Sequence, residues 1–125
     1  MHRIGRLTLL ATLLLTAAGC SSPAANAKVA ATVEIRSFQF APAVLEVVRG
    51  TIVTWTNRDD ILHTATAGVA TKKDDLGTYE RKANGVFDGR MDGAATTYSF
   101  TFNETGEFSY FCDRHAHMTG KVVVR

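Results

Sequence analysis

The sequence predicts an all-β fold, a Greek-key β-sandwich of about seven to eight strands. Three observations carry this expectation. Apolar residues recur with period two instead of helical spacing, the apolar runs are short, and Gly, Asn and Pro separate them. About a hundred residues beyond the N-terminus suit one compact core. No second domain and no internal repeat is visible in the sequence.

The N-terminus reads as an address and not as fold. Met1 to Arg6 is a short basic segment, Leu7 to Ala18 is an apolar run too short to span a membrane as a helix, and small residues follow. Ala17-Ala18-Gly19-Cys20 resembles a bacterial lipobox, which implies cleavage before Cys20 and lipidation of that cysteine. Ser21 to Ala27 is small and polar, as expected of a flexible tether. Several acyl chains on one residue give stable anchoring. The expected organisation is therefore a lipoprotein signal peptide at 1–19, a lipidated tether at 20–31 and a folded domain at 32–125. The expected location is outside the cytoplasm, on the bacterial cell membrane.

Charge narrows the partners. The chain has 14 Lys and Arg against 12 Asp and Glu, and losing Arg3 and Arg6 with the signal leaves 12 against 12. No basic run survives to neutralise phosphates, which argues against nucleic acid. The chain has two cysteines. With Cys20 acylated, Cys112 is an unpaired thiol in an oxidising compartment, and metal ligation gives it a reason to be there.

Taken in order, Val33 and Ile35 alternate with Glu34 and Arg36, and Phe38 and Phe40 continue the pattern until Pro42. Leu45 and Val47 form a second strand before the turn at Arg49-Gly50. Thr51 to Thr56 is a β-branched run with Val53, Trp55 and Asn57 on one face. Leu62 to Thr66 is a short strand. From Ala67 to Ala95 the pattern dissolves into a polar loop with room for a short helix at Thr71 to Tyr79, and Phe87 and Met91 stand as isolated apolar anchors. Tyr98, Phe100 and Phe102 line a strand, Asn103 to Gly106 reads as a hairpin turn, and Phe108, Tyr110 and Cys112 share the inner face of the returning strand. Val122 to Val124 closes the domain.

Cys112-Asp113-Arg114-His115-Ala116-His117-Met118 gathers a thiol, two imidazoles and a thioether in seven positions. Cys, His and Met together suit copper. A trigonal Cys-His2 site with a weak axial Met needs one more imidazole if only one loop histidine ligates. His63 is the remaining histidine once His2 leaves with the signal. A lone histidine is ordinarily a surface or core residue; a distant loop one imidazole short gives this one another role.

On these residues the chain resembles the small blue copper proteins of the cupredoxin family, in the plastocyanin, pseudoazurin and amicyanin group, with an amicyanin-like loop length. The family's first histidine follows a Trp-x-Asn-x-Asp run, as Trp55, Asn57 and Asp59 precede His63, and its last ligands lead into Met-x-Gly, as at Met118 and Gly120. The resemblance covers nearly all of residues 29–125. It implies one type 1 copper held by His63, Cys112, His115 and Met118, with Asn57 tying the first-histidine loop to the Cys112 loop. His115 is preferred to His117 because neighbouring side chains point apart on an extended backbone, so His117 and Met118 would diverge.

Three functions compete: a membrane-tethered single-electron carrier, a copper carrier or storage protein without redox cycling, and a zinc hydrolase. The last needs an open coordination position and a general base. The first is preferred, with a redox protein as partner, a monomeric state and no enzymatic activity. One departure from the family stands out. Ala116 replaces the Pro that usually follows the loop histidine and restricts the backbone less. His115 is therefore expected to protonate and part from copper on reduction as pH falls, raising the reduction potential with acidification. Voltammetry at mildly acidic pH reads this directly, and a flat potential excludes it.

Overall fold

The structure is a computed structural model and describes residues 29–125. The signal peptide, Cys20 and most of the tether lie outside those residues. Nine strands form among the described residues: β1 (Ala30–Arg36), β2 (Gln39–Ala41), β3 (Val44–Val47), β4 (Thr51–Asn57), β5 (Leu62–Lys72), β6 (Tyr79–Asp92), β7 (Thr97–Phe102), β8 (Gly106–Phe111) and β9 (Thr119–Val124). β1 takes in Ala30 and Ala31, which the sequence assigns to the tether.

The strands make two sheets, ordered β2-β1-β4-β7 and β3-β9-β8-β5-β6. β1 runs parallel to β4 and β3 parallel to β9, and the other pairs are antiparallel. The alternation read in β4 is realised fully: Thr51, Val53, Trp55 and Asn57 are buried and the residues between them half-buried. Trp55 lies at the centre of the core. Its ring centroid is 5.3 Å from Phe87, 5.4 Å from Tyr110 and 5.8 Å from Tyr98. Aromatic pairs at this separation add about 0.5–1.5 kcal/mol each beyond the area they bury.

Four expectations are corrected. Phe38 does not continue the inward alternation, because the chain turns at Ser37 and Phe38 (φ 51° and 60°) and leaves the Phe38 ring partly exposed. No helix forms among the described residues: Asp74 Oδ1 accepts from the Leu76 and Thr78 amides and closes a turn where the helix had room. The polar stretch from Ala67 to Ala95 is not a loop, since most of it lies in the long hairpin of β5 and β6. The outer half of that ribbon is exposed on both faces, so it needs no period-two apolar pattern. Nearer the core the period returns, with Phe87, Gly89 and Met91 all buried.

The fourth correction concerns Asn103 to Gly106. This segment is not a hairpin turn, because β7 pairs with β4 while β8 pairs with β9 and β5. It carries the chain from one sheet to the other. Two glycines make room for rings in the core. A Cβ on Gly120 would lie 2.3 Å from Cζ of its cross-strand partner Tyr110, and one on Gly89 would lie 2.0 Å from the Tyr98 ring.

Candidate metal centre

The end of β4, the start of β5, the end of β8 and the β1–β2 turn meet at one end of the sandwich. The β5–β8 ladder pairs Thr66 with Phe111 and Ala67 with Tyr110. Continuing that register brings the first residues of β5 to the residues just after β8. His63 and Cys112, 49 residues apart, therefore meet: His63 Nδ1 lies 3.7 Å from Cys112 Sγ, and both residues are fully buried.

The Cys112–Met118 segment is a pair of tight turns and not an extended strand. His115 N–H donates to the Cys112 carbonyl at 3.3 Å and Met118 N–H to the His115 carbonyl at 2.8 Å; Cys112 N–H returns to the Met118 carbonyl at 3.0 Å. Successive three-residue steps turn Cys112, His115 and Met118 inward and leave Asp113, Arg114 and His117 exposed. His115 Nδ1 lies 3.6 Å from Cys112 Sγ, and the donor atoms of His63, Cys112 and His115 all fall within 4.8 Å of one another. Met118 is buried at the far end of the turns. His117 faces solvent, its ring centroid 6.4 Å from that of His115.

Three residues to which the sequence reading gave no role at the metal hold the cluster. Thr64 N–H donates to Cys112 Sγ at 3.3 Å, and the Thr64 hydroxyl accepts from the Asp113 amide at 2.8 Å. That hydroxyl pairs with Thr66, which donates to Asp88 at 2.8 Å. Thr64 thus binds the His63 strand to the Cys112 loop, the role expected of Asn57. Asn57 instead donates to the carbonyls of Ile61 and Met91 and accepts from the Asp59 amide, fastening the His63 loop to β6. Among the described residues the Asn57 side chain makes its hydrogen bonds within that loop and to β6, and none to the Cys112 loop.

Asp59 is the second. Its Oδ2 lies 2.9 Å from His63 Nε2, which leaves Nδ1 to face the thiol. The same carboxylate accepts from the amides of Ser37 at 2.8 Å and Phe38 at 3.1 Å. Burial works against the charged form, but the Phe38 and Ser37 amides and His63 outweigh it and hold the Asp59 pKa below the usual range. Its place in the Trp-x-Asn-x-Asp run, four residues before His63, is the sequence signal that marks it. Phe38 is the third. A bulky residue at positive φ costs on the order of 1–3 kcal/mol. Here it brings the ring edge-on to both imidazoles, 4.9 Å from His115 and 5.5 Å from His63.

His115 is the least buried of the three clustered residues. Burial, followed by electrostatic repulsion from its neighbours His63, His117 and Arg114, lowers its pKa, with Asp59 opposing. A thiol sulfur and two imidazole Nδ1 atoms at these separations fit copper and leave the two Nε2 atoms to protein or solvent.

Fold and donor set define a small copper-binding β-sandwich. A family model for copper binding proteins, the plastocyanin/azurin family, matches residues 27–125. The chain is 37% identical over 108 residues to amicyanin from Paracoccus denitrificans, covering 82% of this chain and 73% of that protein. It is 33% identical over 95 residues to amicyanin from Paracoccus versutus, covering 76% of this chain and 64% of that protein, so it spans less than two thirds of that relative. A purple cupredoxin from Nitrosopumilus maritimus superimposes with a TM-score of 0.59 at 25% identity, covering 76% of this chain and 99% of that one. The chain belongs to the plastocyanin/azurin family of copper binding proteins, the cupredoxins. Its cofactor is one type 1 copper.

Replacing Thr64 with Val keeps the shape but leaves the Asp113 amide, in a part-buried position, without its acceptor. Denaturant unfolding of the copper-free Thr64→Val protein should show a loss of about 1–3 kcal/mol, with Thr64→Ser restoring most of it. Equal stability of the Val variant and the wild type would show that the Thr64 hydroxyl does not hold the two segments together.

Proposed function

We propose that this protein carries single electrons outside the cytoplasm. In this reading His63, Cys112 and His115 would hold copper as strong ligands, Met118 would be a fourth, weaker donor, and no enzymatic reaction would occur at the metal. The observation that carries it is the placement of the cluster: Cys112 and His63 are fully buried, and His115 alone of the three reaches the surface. Bound copper supplies a Cu(II)/Cu(I) couple. The chain supplies rigidity. Backbone turns fix the spacing of Cys112, His115 and Met118, Asp59 fixes the His63 ring, and the Thr64 amide hydrogen-bonds the sulfur. A site held in this way has little room to rearrange between oxidation states, which favours fast electron exchange. The His115 ring edge is the exit to a redox partner protein.

The reading extends to location. A basic and apolar N-terminus ending in Ala-Gly-Cys, followed by a small polar stretch, supports export and lipid anchoring through Cys20. Cys20→Ser should move the protein from the membrane fraction to the soluble fraction of the exporting cell. Retention of that variant in the membrane fraction would exclude the anchor.

A copper carrier that does not cycle its ion is the second reading, favoured by the same soft donor set. Visible and EPR spectra of the copper-loaded protein separate the two. Intense thiolate-to-copper absorption with reversible voltammetry is expected, lost in His115→Ala and kept in His117→Ala. A colourless, readily exchanged complex supports the carrier, and loss of the centre in the His117 variant alone would overturn the ligand assignment.

A further inference from the structure

The outer β5–β6 ribbon lies beside the copper loop, and a cleft of about 420 Å3 opens between them. Thr78, Tyr79 and Arg81 of the ribbon face Arg114, His115 and His117 of the loop across it. We propose that this cleft docks a carboxylate-rich face of a redox partner, with Arg81, Arg114 and His117 holding it against the exposed edge of His115. The proposal rests on the electron-transfer reading and names the chemistry of the partner.

The charge distribution points to an acidic occupant. No Asp or Glu side chain lines the cleft, although the mature chain as a whole balances 12 basic against 12 acidic residues. Arg114 is exposed and makes no ion pair among the described residues. Neighbouring acids are already engaged. Glu80 pairs with Lys73, Asp75 lies 3.7 Å from Lys72, and Asp74 has no ion pair among the described residues but its carboxylate is taken up by the Leu76 and Thr78 amides. Arg81 donates to the Asp113 carbonyl and sits 3.8 Å from its carboxylate, which fastens the ribbon to the loop and offsets part of the Arg81 charge. A guanidinium has five N–H donors, so Arg81 keeps others free for a carboxylate.

The geometry gives roles to two features that copper binding leaves unused. His117 has no ligand position, yet it is placed on the cleft wall. The ribbon adds nothing to the donor cluster beyond its inner half, yet its outer half forms the opposite wall. Docking here would set the partner within contact of His115, and electrostatic attraction of this kind acts mainly on association rate and weakens with salt.

Oxidation of the Cu(I)-loaded protein by hexacyanoferrate(III), an anion, and by tris(phenanthroline)cobalt(III), a cation, tests this. In each case one electron leaves the reduced protein and lowers the reagent metal from the trivalent to the divalent state. Arg114→Glu is the first variant, since Arg114 has no ion pair to lose, and retention of the visible spectrum after oxidation checks its site. The hexacyanoferrate rate should fall roughly tenfold at low salt and its salt dependence should flatten, while the cobalt rate rises. Poly-L-glutamate should slow wild-type oxidation by hexacyanoferrate and shift the amides of Arg81, Arg114 and His117 in the diamagnetic Cu(I) protein. Arg81→Gln should weaken both effects. Unchanged rates in both Arg variants, or no effect of poly-L-glutamate on the wild type, would overturn the docking proposal while electron transfer stands. Failure of both reagents to oxidise the wild type would overturn the electron-transfer reading, and the docking proposal with it.

Discussion

Everything at the metal end depends on one ladder, the antiparallel pairing of β5 with β8. It is short, with Thr66 opposite Phe111 and Ala67 opposite Tyr110, yet it brings an imidazole and a thiol from distant parts of the chain to within 3.7 Å. A one-residue slip would turn every side chain of β5 to the opposite face and take His63 away from Cys112. Thr64 guards against that slip twice, once through its amide to the sulfur and once through its hydroxyl to the Asp113 amide. The soft donor set is therefore only as exact as the register beneath it.

Asp59 adds a second tie from the other sheet. One carboxylate orients His63 and also holds the positive-φ turn that lays Phe38 against both imidazoles. The strain of that turn and the desolvation of the carboxylate are each offset by the same hydrogen bonds. Ring, carboxylate and ligand form one unit, so a change at any of the three is felt by the other two.

How much was legible follows from what each residue answers to. Val53, Trp55 and Asn57 answer to a half-buried strand, and the period-two rule reads them directly. Cys112, His115 and Met118 answer to ligand chemistry and stand close in sequence, which made them visible even though the backbone between them turns instead of extending. Asn103 to Gly106 shows the limit of turn signals, which tell where a chain reverses and not which strand it then joins. The outer ribbon was invisible because backbone pairing alone holds it, with no buried face to impose a pattern. Thr64 and Phe38 were missed because their roles lie in contacts across the fold that no local spacing encodes.

The register break in the ribbon sets its mechanics. Thr66 opposes Asp88 but Gly68 opposes Ala83, so β6 carries three more residues than β5 across that step. Gly68 sits at φ 141°, where a Cβ would come within 2.2 Å of the Lys82 carbonyl oxygen. The bulge works as a joint. Inserted or deleted residues beyond it alter the length and pitch of the arm, and the offset absorbs them before they reach His63. The metal end and the arm beside it are thus held in different ways, one by a fixed register and the other by backbone pairing beyond the joint, with Arg81 as the tie between them.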